Sequence, residues 1–175
     1  GRLSSPVIAG GRVFVASIDR HTVHAVDAEA GVALWSFTAG ARVDSPPSVW
    51  QDRVLFGSAD GYVYCLTADK GEFVWRFRAA ETDRRCVVYG QVESVWPVPG
   101  SVLVQDDVLY CVAGRSMFLD GGLRLLRLDP ATGTKIDEKI LDDQNVAVIF
   151  NPQAMDMRAN ACIQDAAWNA GVRIR

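Results

Sequence analysis

Few side chains in this sequence could do chemistry, and their spacing decides most of them. Cys65, Cys86, Cys111 and Cys162 form neither a Cys-x-x-Cys motif nor an adjacent Cys-Cys pair, and His21 and His24, the only histidines, lie far from all four. These spacings are too wide for a zinc ribbon. Cys86, beside Arg84 and Arg85, reads as the reactive thiol of the set, because neighbouring cations favour a thiolate. Ser4, Ser5 and Ser94 have no matching His or Lys that would make one of them a nucleophile. The adjacent carboxylates Asp106-Asp107 and Asp142-Asp143 read as turn formers. Calcium would need about six to eight oxygens, and no D-x-D-x-D-G run supplies them. No catalytic or metal-ligating residue is therefore assigned.

The bulk composition excludes other classes. In 175 residues there are 18 basic and 21 acidic side chains, a formal charge of −3. The basic residues are scattered, which argues against nucleic acid as a partner, since duplex binders cluster Lys and Arg on one face. With 49% hydrophobic and 22% charged residues the chain has the makings of an ordered core. No apolar run is long enough to span a bilayer as a helix. The sequence opens at Gly1 with no visible export signal.

An internal repeat organises the chain. Ser5-Pro6 recurs as Ser45-Pro46, Asp19 as Asp60, Gly31 as Gly71, Trp35 as Trp75 and Phe37 as Phe77. A third, degraded copy carries Val108-Leu109-Tyr110, Leu128-Asp129 and Gly133, with Asp137 where the next Trp would stand. His24 aligns with Tyr64 and so reads as a strand residue, with His21 in the adjacent turn. Cys65 aligns with Ala25, and Cys111 with Ala16 and Gly57, positions that take small side chains. Short alternating runs broken by turn residues predict strands. In the second copy these run over 47–50, 53–57, 62–67 and 73–78. Asp60-Gly61 predicts a two-residue type I′ turn. Four short strands per repeat of about 40 residues describe a β-propeller blade.

The strings Ala25-Val26-Asp27-Ala28-Glu29-Ala30-Gly31-Val32-Ala33-Leu34-Trp35 and Leu66-Thr67-Ala68-Asp69-Lys70-Gly71-Glu72-Phe73-Val74-Trp75 resemble the PQQ-like repeat of quinoprotein dehydrogenases and BamB-type outer-membrane assembly scaffolds. The resemblance covers residues 5 to about 140. It implies that Gly31, Trp35, Gly71 and Trp75 are structural docking residues between neighbouring blades. The expected fold is all-β: three blades of four antiparallel strands, over 5–40, 45–80 and 94–141, in an incomplete ring. Repeats thus occupy 1–141, and 142–175 form a non-repeat tail with a strand expected at 146–150 and a short helix at 161–170. The expectation is a piece of a longer protein, whose open blade edges would pair with flanking repeats or another chain.

The third copy carries its extra residues in two places, 80–94 and 114–122. Strand parity sends both loops out of one face of the disc. They offer Arg84, Arg85, Tyr89, Trp96, Arg115, Met117, Phe118 and Asp120 as candidate partner-binding residues. Arginines beside aromatics suit a carboxylate, a sugar or a peptide strand. The competing reading is that the loops pack on each other with their arginines solvated. A non-catalytic module binding a protein or carbohydrate partner is the leading functional reading. The alternative is part of a PQQ-dependent dehydrogenase oxidising alcohols or sugars. PQQ with calcium enters by resemblance only, as does a periplasmic or secreted location.

Overall fold

The computed structural model describes residues 1–144. The expected strand and helix of the tail, with Cys162, Met155, Met157 and Trp168, lie outside these residues. The described chain is built from three antiparallel four-stranded sheets, each in simple meander order. Blade 1 is β1 (Val7–Ala9), β2 (Arg12–Ser17), β3 (Thr22–Asp27) and β4 (Ala33–Thr38). Blade 2 is β5 (Ser48–Trp50), β6 (Arg53–Gly57), β7 (Tyr62–Thr67) and β8 (Phe73–Arg78). A separate hairpin follows, β9 (Arg85–Val88) and β10 (Gln91–Ser94). Blade 3 is β11 (Leu103–Gln105), β12 (Val108–Ala113), β13 (Leu123–Leu128) and β14 (Lys135–Leu141). The one helical element among the described residues is a 3-10 turn at Ile18–Arg20.

Alternation along the strands gives each blade two usable faces, and stacking buries one against the next. Between blades 1 and 2, Phe14, Ala16, Val23 and Ala25 meet Val54, Phe56, Tyr64 and Leu66. Between blades 2 and 3, Leu55, Val63 and Cys65 meet Leu109, Cys111, Leu126 and Leu128. Blades 1 and 3 share no such core, so the sheets do not close into a ring.

An indole locks each stacked pair. Trp35, on the outermost strand of blade 1, donates from Nε1 to the carbonyl of Ala68 at 3.1 Å. Trp75 repeats this on Pro130, at 3.2 Å. Each ring lies on a glycine of the neighbouring turn: a Cβ on Gly71 would stand 2.5 Å from Trp35 Cδ2, and one on Gly133 would stand 2.6 Å from Trp75 Cδ2. Both glycines also have positive φ, 69° and 72°, so the position excludes a side chain on two counts. Beneath each indole the cross-strand partner is small, Ala25 for Trp35 and Cys65 for Trp75.

The turns correct one sequence expectation. Asp60-Gly61 is not a two-residue type I′ turn: Gly61 has φ 87°, but Asp60 does not have positive φ. Ser58–Gly61 instead form a four-residue connection in which Gly61 N donates to Ser58 O at 3.1 Å. The cause is the Asp60 carboxylate, which accepts from Tyr62 N at 3.0 Å, Gly40 N at 3.0 Å and Tyr64 OH at 2.5 Å. Asp19 accepts likewise from Arg2 N at 3.1 Å. In both blades this carboxylate fastens the segment entering the innermost strand. Positive φ at both central residues occurs at Gly10-Gly11, Tyr89-Gly90 and Asp106-Asp107.

Because the Trp35 ring occupies the space a Cβ would need at Gly71, Gly71→Ala is expected to cost about 3 kcal/mol. Gly31→Ala, with the same backbone but nothing within 4 Å, is expected to cost about 1 kcal/mol. Urea unfolding of the two variants measures the difference.

Candidate binding face

The segment 80–94, expected as a loop, contains the β9–β10 hairpin, registered Val87 to Val92 and Arg85 to Ser94. It acts as a strap over the three blades. To blade 1, His21 Nε2 donates to Gln91 Oε1 at 3.1 Å. To blade 2, Ser94 N donates to Ala59 O at 2.8 Å. To the blade 3 loop at 114–122, Arg84 donates to Asp120 Oδ1 at 3.0 Å. Trp96 Nε1, just after the hairpin, donates to Asp120 O at 2.8 Å.

Glu93 is the charged centre of this arrangement. Its side chain has no solvent exposure. It accepts from Arg42 Nε at 2.6 Å and from Arg115 Nη2 at 2.7 Å. Arg42 comes from the connection between blades 1 and 2, while Arg115 comes from the blade 3 loop and also reaches Ser94 O at 3.0 Å. Asp44 lies 3.5 Å from Arg42 Nη1. Its burial pushes the carboxyl pKa up, against the pull of Arg42. A buried carboxylate is tolerated only with such partners, since an unpaired charge in this setting is strongly destabilising.

The sequence-derived residues fall into two groups. Arg84, Trp96, Arg115 and Asp120 are engaged in joining the two insertions, and Arg84 also lies 5.5 Å above the Trp96 ring. Trp96 is buried, and Met117 packs against Leu123, Leu125 and Leu141. These loops therefore pack on each other, but their arginines are paired rather than simply solvated. Arg85 pairs with exposed Asp83 at 3.0 Å. Tyr89 is 87% exposed at the hairpin tip and Phe118 63% exposed on the loop. Val87, Val92 and Leu119 are also exposed. Arg42 lies 5.3 Å from the Tyr89 ring centroid. Sequence reasoning missed Arg42, Glu93 and Gln91. Glu93, a charge following the Val-Val-Tyr-Gly-Gln-Val run, was the available signal.

Cys86 is partly buried, 3.8 Å from Arg115 Nη2 and 3.9 Å from Ser94 O. Cys65 and Cys111 are buried, and loss of solvation pushes both thiols up to about 12. His24 is a partly buried residue of β3 facing Val15. Among the described residues no group of three or more His, Cys, Asp and Glu side chains could hold a metal ion. A groove along the innermost strands is lined by Val7, Pro46, Pro47, Trp50, Val102 and Leu103, among other uncharged residues. No described helix is long and apolar enough to cross a membrane.

Two predictions arise from this chemistry. Glu93→Gln takes the counter-charge from Arg115 and leaves Arg42 with Asp44 alone, and is expected to cost about 3 kcal/mol, with faster hydrogen exchange across residues 85–94. The raised thiols stabilise the fold fully below the ordinary value of 9.0. That contribution should fade from pH 9 toward 12, because the unfolded chain releases these protons first. Unfolding free energies of the protein and of a Cys65→Ala/Cys111→Ala variant, compared across that range, isolate the effect.

A family model described as outer membrane protein assembly factor BamB matches residues 1–164. No curated protein matches the chain. Solved structures share the fold. The quinohemoprotein alcohol dehydrogenase ADHIIG of Pseudomonas putida HK5 aligns with TM-score 0.65 and 19% identity over 78% of this chain and 20% of its own. Quinohemoprotein alcohol dehydrogenase from Comamonas testosteroni gives 0.65 and 22% over 80% and 21%. BamB from Moraxella catarrhalis gives 0.49 and 20% over 77% and 47%. The chain thus spans about a fifth of the two dehydrogenases. Four-stranded blades, their repeated Gly and Trp positions and the match over 1–164 place this chain in the PQQ-like β-propeller family represented by the BamB assembly factor.

Proposed function

We propose that this protein is a non-catalytic propeller module that binds a protein partner through the face carrying the two insertions. The observation that carries this reading is the strap. A hairpin and a loop are fixed by buried ion pairs, yet they leave Val87, Tyr89, Val92, Phe118 and Leu119 in water. Fixing a loop in advance lowers the ordering cost of binding, and exposed aromatic side chains are the usual anchors of an interface. A carbohydrate ligand would use the same Tyr89 ring by stacking. The family description, an outer membrane assembly factor, is consistent with a protein partner and with a periplasmic or secreted location. The share of the dehydrogenase chains covered supports the further reading that these blades are part of a larger propeller.

The alternative, a portion of a PQQ-dependent dehydrogenase, asks for cationic donors to an acidic quinone and oxygen ligands for calcium. The axial groove has an indole, Trp50, but no charged side chain in its lining. Arg42 and Arg115 are not in that lining and bond Glu93 instead. The lining of this groove therefore offers no cationic donor to an acidic quinone, and no redox step is assigned to it.

The test separates recognition from scaffold integrity. Tyr89→Ala with Phe118→Ala should abolish contact-dependent crosslinks from the insertion face to an isolated partner, with an unchanged melting temperature. Arg115→Ala should instead lower the melting temperature. Crosslinks that persist in the double variant would overturn the assigned face. Addition of PQQ and calcium should leave the Trp fluorescence unchanged, whereas saturable quenching would favour the dehydrogenase reading.

A further inference from the structure

The β9–β10 strap is a sheet of two strands, so each strand has one side toward its partner and one side away from it. Register decides which residues turn their backbone groups outward. Val95 N donates to Arg84 O at 3.0 Å, and in an antiparallel pair the residues that exchange such bonds recur at every second position. Arg84, Cys86 and Val88 therefore bond inward, opposite Val95, Glu93 and Gln91. The series ends at the two-residue turn Tyr89-Gly90, where both residues have positive φ. The N–H and C=O groups of Arg85 and Val87 on β9, and of Val92 and Ser94 on β10, point out of the pair.

The two outer edges are treated differently. On β10, Ser94 N donates to Ala59 O at 2.8 Å and Ser94 O accepts from Arg115 Nη2 at 3.0 Å, so blades 2 and 3 hold that edge. A single residue, Val92, remains beyond them, too little for a strand to pair with. On β9, no hydrogen bond among the described residues reaches the outward backbone groups of Arg85 or Val87. The side chains agree with this orientation. Glu93 is buried, Cys86 packs against the core between blades 2 and 3, and Gln91 bonds His21, so that face of the strap lies on the blades. Arg85, Val87 and Val92 share the opposite face, and Val87 is 72% exposed. Arg85 bonds Asp83, with both side chains more than half exposed, an arrangement that contributes little and is readily exchanged.

We propose that the outer edge of β9 is the hydrogen-bonding part of the insertion face and takes an extended strand of the partner protein, which joins the strap as its third strand; this rests on the partner-binding reading above. Two sets of N–H and C=O groups, about 7 Å apart along the strand, ask for the complementary backbone of an extended segment rather than for a helix or a sugar. Arg85 favours an acidic side chain opposite it, and Val87, with Val92 beside it, favours an apolar one two residues away. The mounting supports this use. An isolated two-stranded hairpin is marginally stable in water, but this one is pinned at Glu93 and Ser94, so its free edge is presented in register before a partner arrives.

The probe is a synthetic peptide of seven residues that alternates valine and threonine, with aspartate at one valine position, added to the 175-residue protein. Binding should slow amide hydrogen exchange at Arg85 and Val87 by about tenfold or more, with little change at Cys86 and Val88, which already bond β10. N-methylation of the peptide at residues of one parity should abolish binding, and methylation at the other parity should be tolerated, because alternate backbone groups face the edge. Val87→Pro deletes an outward donor and spares the ladder to β10, so it should weaken binding about tenfold with an unchanged melting temperature, while Val87→Thr should bind nearly as the parent does. Slow exchange at Arg85 and Val87 in the free protein would put residues 145–175 on this edge and overturn the proposal. Binding that is indifferent to N-methylation at both parities, or absent altogether, also overturns it. If exchange at Arg85 and Val87 is unchanged while crosslinks to a partner still depend on Tyr89 and Phe118, the assigned face stands and the edge does not.

Discussion

The architecture depends on an indole laid flat on a glycine. A four-stranded blade of this size cannot bury its apolar side chains alone, and it becomes stable only when a neighbour covers a face. Stacking of two twisted sheets leaves their outer edges apart, and Trp35 and Trp75 fill that gap while satisfying their N–H groups on backbone carbonyls. The constraint propagates inward. The glycine must lack a Cβ, the residue under the ring must be small, and the turn must hold its carbonyl outward, which explains Ala25, Cys65, Gly71 and Gly133 together.

A closed ring gains stability from contact between its first and last blades, and here blades 1 and 3 have no shared core. The β9–β10 strap supplies cross-bracing by another route. Glu93 draws an arginine from the blade 1 to blade 2 connection and another from the blade 3 loop onto a single carboxylate. His21 and Asp120 extend the same bracing to either side. Ion pairs give little stabilisation at a surface, but a fully buried carboxylate with two guanidinium partners strongly opposes any opening that would leave it unpaired. Position of the insertions is thereby fixed, with Tyr89 and Phe118 held exposed on them.

The repeat was legible because its determinants are local. Gly31 to Trp35 and Gly71 to Trp75 keep the same spacing, so the strand boundaries of blade 2 follow within a residue from alternation and turn chemistry. Reading Asp60-Gly61 as a two-residue turn failed because the carboxylate of Asp60 takes partners from Gly40 and Tyr64, which no local pattern reveals. In the insertions, residue type suggested a binding role for all the arginines alike. Pairing then divided them: Arg84 and Arg115 pair with residues of another segment, Asp120 and Glu93, while Arg85 pairs only with its sequence neighbour Asp83.

By itself, the sequence determined the all-β class, the blade period and the repeated Gly and Trp positions, because each depends on the spacing of side chains along one strand or turn. Only the tertiary structure decided that segment 80–94 is a hairpin strapped to three blades and that Glu93 is its buried anchor. Those features arise between residues distant in the chain, where burial and charge pairing, rather than local periodicity, set the free energy.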